Sequence, residues 1–184
     1  MSLFRFNGYV IVSAEGMLAD RTGVMPEALK FPGDQAFFTA GLDRADLIVH
    51  GRNSFEDQPD SPKRTRIVLS RGIDAVAPDP ANEKATLWNP AGATFEEACA
   101  CAGIAAGTVA VIGGPTVYAM FLDRFDVFWL SEAPQVHLPD GQPCLPGAPA
   151  RSPQQILAAH GLVAGEVQLL DEAHGVRVTA WRRA

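Results

Sequence analysis

The stretch Val109–Phe121, VAVIGGPTVYAMF, constrains this chain more than any other. A run of apolar β-formers stops at two glycines, and a proline and a threonine then lead into Tyr118, Met120 and Phe121, which read as a helix. Gly113 and Gly114 carry no Cβ, so a ligand or a neighbouring backbone can come within contact distance. Pro115 suits the first helical position, where its missing N–H costs nothing and its φ is preset. The N–H groups that follow sit at the positive end of a helix, a seat for a phosphate oxygen, and Thr116 adds a hydroxyl. A tight strand-to-helix turn with no ligand explains the same letters equally well, so the rest of the chain has to decide.

Gly8–Ala14, GYVIVSA, reads as a buried strand followed by a Gly-containing loop that runs to Pro32. DQAFFTAGLD, Asp34–Asp43, has apolar residues at helical spacing behind an acidic first turn. DLIVHG and TRIVLS are short β-rich runs bounded by turn formers, as is Ala85–Asn89, ATLWN. Thr94 and Glu97 then have the spacing of a capping box ahead of a second helix. DVFWLSEA follows as a strand, the Pro/Gly-rich segment 133–153 as a surface loop, and VQLLDEAHGVRVTAWRR as a β-hairpin around DEAHG. Strands alternating with helices imply an α/β domain over 1–184, its sheet mostly parallel and covered on both faces, with an antiparallel addition at the C-terminus.

Composition excludes several classes. The formal net charge of −6 disfavours a general nucleic-acid surface, which needs clustered Lys and Arg. Cys99, Cys101 and Cys144 are odd in number and form no CxxC pair, and the four histidines (His50, His137, His160, His174) have no metal-ligand spacing. No apolar run approaches the roughly 20 residues of a membrane span, and the N-terminus lacks a signal-peptide pattern. A cytoplasmic protein, monomer or homodimer, is the expectation.

Two further strand ends carry groups suited to phosphate. Gly51 and Arg52 follow DLIVH, at the C-terminal end of a strand, where open α/β sheets place their ligands. VLSR, Val68–Arg71, ends the next strand with a hydroxyl and a guanidinium, and arginine pairs bidentately with phosphate.

Taken in order, FPGDQAFF, VHGRNSFE, RTRIVLSR, VIGGPTVYAMF, FWLSE and VTAWRR resemble the dihydrofolate reductase superfamily, which includes the reductase domain of riboflavin-pathway deaminase-reductases. The resemblance implies a three-layer α/β/α fold, with a mostly parallel central sheet and an antiparallel C-terminal hairpin strand. It implies NADPH as cofactor, lined by Leu18 and by Ile112, Gly113, Gly114, Pro115, Thr116, Val117 and Tyr118, with the Gly113–Gly114 peptide cis. Gly51, Arg52, Asn53 and Ser54 would hold phosphates, and Ser70 and Arg71 would flank the adenosine 2′-phosphate. Thr116 stands where dihydrofolate reductases often carry a basic residue, so NADPH over NADH rests on Arg52 and Arg71.

Asp34 has two readings. An acidic residue in the first turn stabilises the helix dipole. Phe38 lies four residues on, so a carboxylate and an aromatic ring share one helix face. The resemblance places Asp34 at the single pocket carboxylate that hydrogen-bonds a pterin ring. It also places Ser131 beside that carboxylate and Arg64 where a folate carboxylate tail is gripped; a backbone-satisfied Ser131 and a solvated Arg64 are the plain readings. The chemistry implied is hydride transfer from a nicotinamide to a C=N carbon of a small heterocycle, with the cofactor carrying the hard step. Departures exist: VMPEALKFPG has Leu29 or Lys30 where dihydrofolate reductases usually carry Trp, while SAEGMLA and GLDRADLIVHGR look closer to the riboflavin-type reductases. No deaminase zinc signature is present. Three functions follow: a pterin-like reductase, a ribosylamino-pyrimidine reductase, or a nucleotide-binding module without catalysis.

Overall fold

The computed structural model describes residues 2–184. Strands β1 (Phe4–Val12) and β2 (Met17–Ala19) precede helix α1 (Pro32–Asp43). Then come β3 (Leu47–Gly51), β4 (Arg66–Leu69), β5 (Val76–Asp79), β6 (Asn82–Trp88) and α2 (Phe95–Cys101). The chain continues with β7 (Gly107–Val111), α3 (Pro115–Phe121), β8 (Phe125–Glu132), β9 (Gln142–Pro143), α4 (Pro153–Ala159), β10 (Leu162–Asp171) and β11 (Val176–Arg183). Nine strands form one sheet in the order β10-β11-β8-β1-β7-β3-β4-β6-β5, and β2 pairs with β9 separately.

The inner pairs β8–β1, β1–β7, β7–β3, β3–β4 and β4–β6 are all parallel. Both edges are antiparallel: β11 and β10 at one side, as the hairpin pattern implies, and β5 at the other, which the sequence pattern did not reveal. Period-2 alternation sends successive side chains to opposite faces. Phe4 and Phe6 of β1 and Val109 and Val111 of β7 join α2, α3 and α4 in one core cluster. Tyr9, Ala110 and Ile48 face α1 in another. The result is an α/β/α sandwich with three helices on one face and one on the other. Phe95 and Phe121 meet edge to face at 5.4 Å between ring centroids, anchoring α2 to α3.

Local signals explain the helix starts. The Thr94 hydroxyl accepts from the Glu97 N–H at 3.2 Å and the Glu97 carboxylate accepts from the Thr94 N–H at 2.7 Å, closing the expected capping box. Ser152 and Gln155 form a second such box at the start of α4, at the C-terminal end of the 133–153 segment that the composition marks as loop. The segment 133–153 is therefore not wholly a surface loop: β9 pairs with β2, and Cys144 and Leu145 are fully buried. Turn formers set its local path, but docking against β2 and α4 buries its tip. α1 sits unusually close to the sheet. A Cβ on Gly33 would lie 2.0 Å from the Leu170 carbonyl oxygen, and one on Gly41 2.6 Å from the Tyr9 ring, so only glycine permits this approach.

Coverage fails at one edge. Residues 163–169 of β10 are consecutively exposed, and Val163, Val167 and Leu169 remain 58%, 61% and 57% accessible. The β10–β11 register shifts between Ala164 and Val167, a bulge centred on Gly165 and Glu166.

Candidate active site

Because β1, β3, β4, β7 and β8 run parallel, their C-terminal ends lie along one edge of the sheet. That edge gathers Gly51, Ser70, Gly113 and Ser131, each 18 to 43 residues from the next along the sequence. The Gly51 N–H donates to the Gly113 carbonyl at 2.8 Å, and Ile112 N–H to the Val49 carbonyl at 3.0 Å, so the ends of β3 and β7 are stitched together. The Gly113–Gly114 peptide is cis, as the family resemblance implies.

The two glycines have different reasons to be glycine. Gly113 has φ +106°, and a Cβ there would lie 3.1 Å from the Tyr118 ring, so the fold itself demands glycine. Gly114 has φ −79°, and a Cβ there would meet only the Ser54 hydroxyl at an ordinary 3.6 Å. Nothing within the chain requires glycine at 114. The surface over Gly114 is thus left open beside Ser54.

The first turn of α3 offers fewer donors than its sequence suggests. Val117 and Tyr118 N–H groups both bond the Gly114 carbonyl at 3.0 Å, and Pro115 has none. Within this turn, the N–H and hydroxyl of exposed Thr116 make no bond inside the chain. The side chains of Val117 and Tyr118, which the resemblance sets beside the cofactor, are buried in the main core cluster. Tyr118 donates its hydroxyl to the Tyr9 carbonyl, and burial pushes its pKa well up, with Cys144 and Asp34 adding to the shift. The direction of a side chain from a short helix depends on how the helix docks, which VYAMF does not specify.

Arg52 and Asn53 are exposed on the turn after β3, and Arg71 is exposed after β4. Gly51 pairs with Leu69 across these strands, so the two arginines leave adjacent strand ends. Among the described residues neither arginine makes an ion pair. The buried Ser70 hydroxyl accepts from Gly72 N–H at 3.3 Å, so its role is to shape the turn that carries Arg71. Leu18 is half-buried on β2, packed against the main core.

Asp34 lies in the first turn of α1 and is 8% exposed. Burial raises its carboxyl above the ordinary aspartate value, and the Ser131 hydroxyl nearby offsets part of that. Phe38 stands half-buried one turn on, edge-on to Tyr9 at 6.1 Å. The sheet thus brings Asp34, Ser131 and Phe38 together on the α1 side.

A charged cluster that sequence reasoning did not assign lies under the Gly51–Ser54 turn. Arg66 is wholly buried and grips Glu56 with two bonds of 2.7 and 2.6 Å, while also donating to the Ser61 carbonyl. It donates to His50 Nε2 at 3.0 Å, so His50 carries its proton on Nδ1 and donates to the Gly51 carbonyl at 2.6 Å. Burial holds His50 below its ordinary pKa, and Arg66 acts in the same direction. Burial works against the Glu56 charge, yet its two arginines hold the carboxyl below the usual range. Arg64, expected at a substrate's tail, joins this cluster and binds Asp43 as well. An arginine opening the otherwise apolar strand RIVL was the available signal.

A mostly parallel sheet with an antiparallel C-terminal hairpin, sandwiched by helices, is a dihydrofolate reductase-like fold, and solved structures share it along most of the chain. One is a protein assigned to riboflavin biosynthesis from Shewanella sp. PV-4, with TM-score 0.68 and 19% identity, covering 98% of this chain and 99% of that one. Another is dihydrofolate reductase from Enterococcus faecalis complexed with NADP(H) and RAB-propyl, with TM-score 0.67 and 19% identity over 97% and 96% of the two chains. A third is the diaminohydroxyphosphoribosylaminopyrimidine deaminase/5-amino-6-(5-phosphoribosylamino)uracil reductase of Thermotoga maritima, with TM-score 0.63 and 14% identity; the match covers 98% of this chain and 56% of that chain. At these identities the likeness is one of fold. No family model and no curated protein matches the sequence. Among the described residues, no helix is long and apolar enough to cross a membrane.

Proposed function

We propose that this chain is an NADPH-dependent reductase that delivers a hydride to a C=N carbon of a small, pterin-like heterocycle. The observation that carries the reading is the pairing of two unlike ends on one sheet edge. A buried carboxylate, Asp34 with Ser131, stands at one end, and exposed unpaired arginines with an open glycine surface stand at the other. The arginine end suits a dinucleotide: Arg52 and Arg71 reach phosphates, Thr116 and Ser54 add donors, and Gly114 leaves room for close approach. When bound, NADPH supplies the hydride.

The chain's own residues do the rest. Asp34 accepts hydrogen bonds from an N–C–NH₂ edge and fixes the ring's orientation, which is worth much of the barrier when reacting atoms are aligned. Its raised pKa also brings it closer to carrying a proton near neutrality, which supports protonation of the ring nitrogen. Phe38 offers an aromatic edge to the ring, and Ser131 holds the carboxylate.

The second reading is the ribosylamino-pyrimidine reductase of riboflavin synthesis, favoured by the Shewanella and Thermotoga neighbours. A nucleotide-binding module without catalysis has no use for a buried carboxylate at this edge. Measuring NADPH oxidation with dihydrofolate and with the pyrimidine in parallel separates the three. Turnover of one substrate selects it, and NADPH binding with no oxidation of either selects the binding module.

A further inference from the structure

The charges around Arg64 carry an inference about the substrate that rests on the pterin-like reading. Arg64 Nη1 donates to Gln58 at 2.6 Å and to Glu56 at 3.3 Å, and Nη2 donates to Asp43 at 2.7 Å. Both Glu56 oxygens are also held by Arg66. One carboxylate between two guanidiniums leaves one positive charge uncompensated, and Asp43 supplies the missing negative charge. The Arg64 side chain is 8% exposed and Asp43 52%, so the aspartate forms the outer face of the pair.

Position along α1 gives this pair its meaning. Asp34 sits in the first turn of α1 and Asp43 is its last residue. That separation is about 13 Å along a helix axis at ~1.5 Å per residue. The i, i+4 row Gln35–Thr39–Asp43 starts beside Asp34 and ends at Arg64. A ligand anchored on Asp34 and lying along α1 meets Arg64 where Asp43 already occupies it.

We propose that Asp43 is a specificity-determining residue: its carboxylate fills the seat on Arg64, so the site takes a compact heterocycle without an acidic tail. A carboxylate-bearing tail finds no free cation there and meets the half-exposed Asp43 charge instead.

Two ligands with the same ring test this: dihydrofolate, which carries a glutamate tail, and dihydrobiopterin, which carries none. Both are titrated calorimetrically into the NADP⁺-bound protein, which cannot turn them over. Wild type should bind dihydrofolate no more tightly than dihydrobiopterin. Asp43→Ala should tighten dihydrofolate by about 10- to 100-fold, the value of a recovered charge-assisted bond, and leave dihydrobiopterin unchanged. Asp43→Asn, which keeps the shape, should give a smaller gain in the same direction, and adding Arg64→Met should abolish it. If wild type already prefers dihydrofolate tenfold and loses that preference in Arg64→Met, Asp43 is no barrier; the proposal falls while the pterin reading stands. Equal changes for both ligands in Asp43→Ala, or none, also overturn it. If no variant binds either ring, the pterin reading fails and takes this inference with it.

Discussion

The two ends of the proposed site handle charge in opposite ways. At the proposed cofactor end Arg52 and Arg71 stand exposed with no ion pair among the described residues. At the proposed substrate end the charges are buried or engaged: Asp34 is buried, and Arg64 and Arg66 pair with Glu56 and Asp43. Free charge sits where a highly charged ligand is expected, and committed charge where orientation matters. One end supplies attraction, the other supplies shape.

The sharpest way to break this contrast is to compare Arg66 with Arg52, which bracket the segment between β3 and β4. Arg66→Met leaves Glu56 buried beside Arg64 alone and should cost about 3–5 kcal/mol of stability in denaturant unfolding. Arg52→Ala, at an exposed site, should stay within about 0.5 kcal/mol of wild type. Equal stabilities for the two variants would erase the distinction between committed and free charge.

Asp34→Asn tests the substrate end next. Turnover should fall about 10²-fold or more, in the range of lost acid–base help, with NADPH affinity unchanged. Stability should move the other way. Burial raises the Asp34 pKa in the folded state, so the folded protein holds this proton more tightly than the unfolded chain. Asp34 therefore destabilises the fold above its raised pKa, and the penalty fades as pH falls through that value to the ordinary aspartate range. The Asn variant should be at least as stable as wild type at neutral pH, and this advantage should vanish in acid. A variant less stable than wild type at neutral pH would return Asp34 to a helix-dipole role.

Smaller effects sharpen the cofactor end. Arg71→Ala and Arg52→Ala should each weaken NADPH by roughly 1–3 kcal/mol, and NADH by less for Arg71 if it contacts the 2′-phosphate. Equal wild-type affinity for the two cofactors would remove that assignment. Smaller still is the contrast between the paired glycines. Gly113→Ala forces a side chain into positive φ and against Tyr118, costing about 1 kcal/mol or more. Gly114→Ala should leave stability within about 0.5 kcal/mol and weaken NADPH instead. If Gly114→Ala binds NADPH normally, the open surface there serves no ligand.

Sequence alone carried the central strands, because β3, β4 and β7 are short apolar runs bounded by turn formers and α1 shows its acidic first turn. It missed β2, β5 and β9, which are at most four residues long and owe their pairing to partners far along the chain. It missed α4 because Pro and Gly dominate the surrounding composition, although SPQQ spells a capping box. At the site, Asp34 with Phe38 was legible from helical spacing. Tyr118 was not, since its direction follows from the docking of α3, and the bond between Arg66 and Glu56 spans a loop no periodicity describes.

The uncovered edge strand β10 has a consequence for how the protein behaves in crowded solution. Its outer N–H and C=O groups face solvent beside Val163, Val167 and Leu169, a ready template for another strand to add on. The bulge at Gly165–Glu166 interrupts that template midway with a kink and a charge. A kink and a charge at this point work against edge-to-edge strand pairing, a task unrelated to the candidate site.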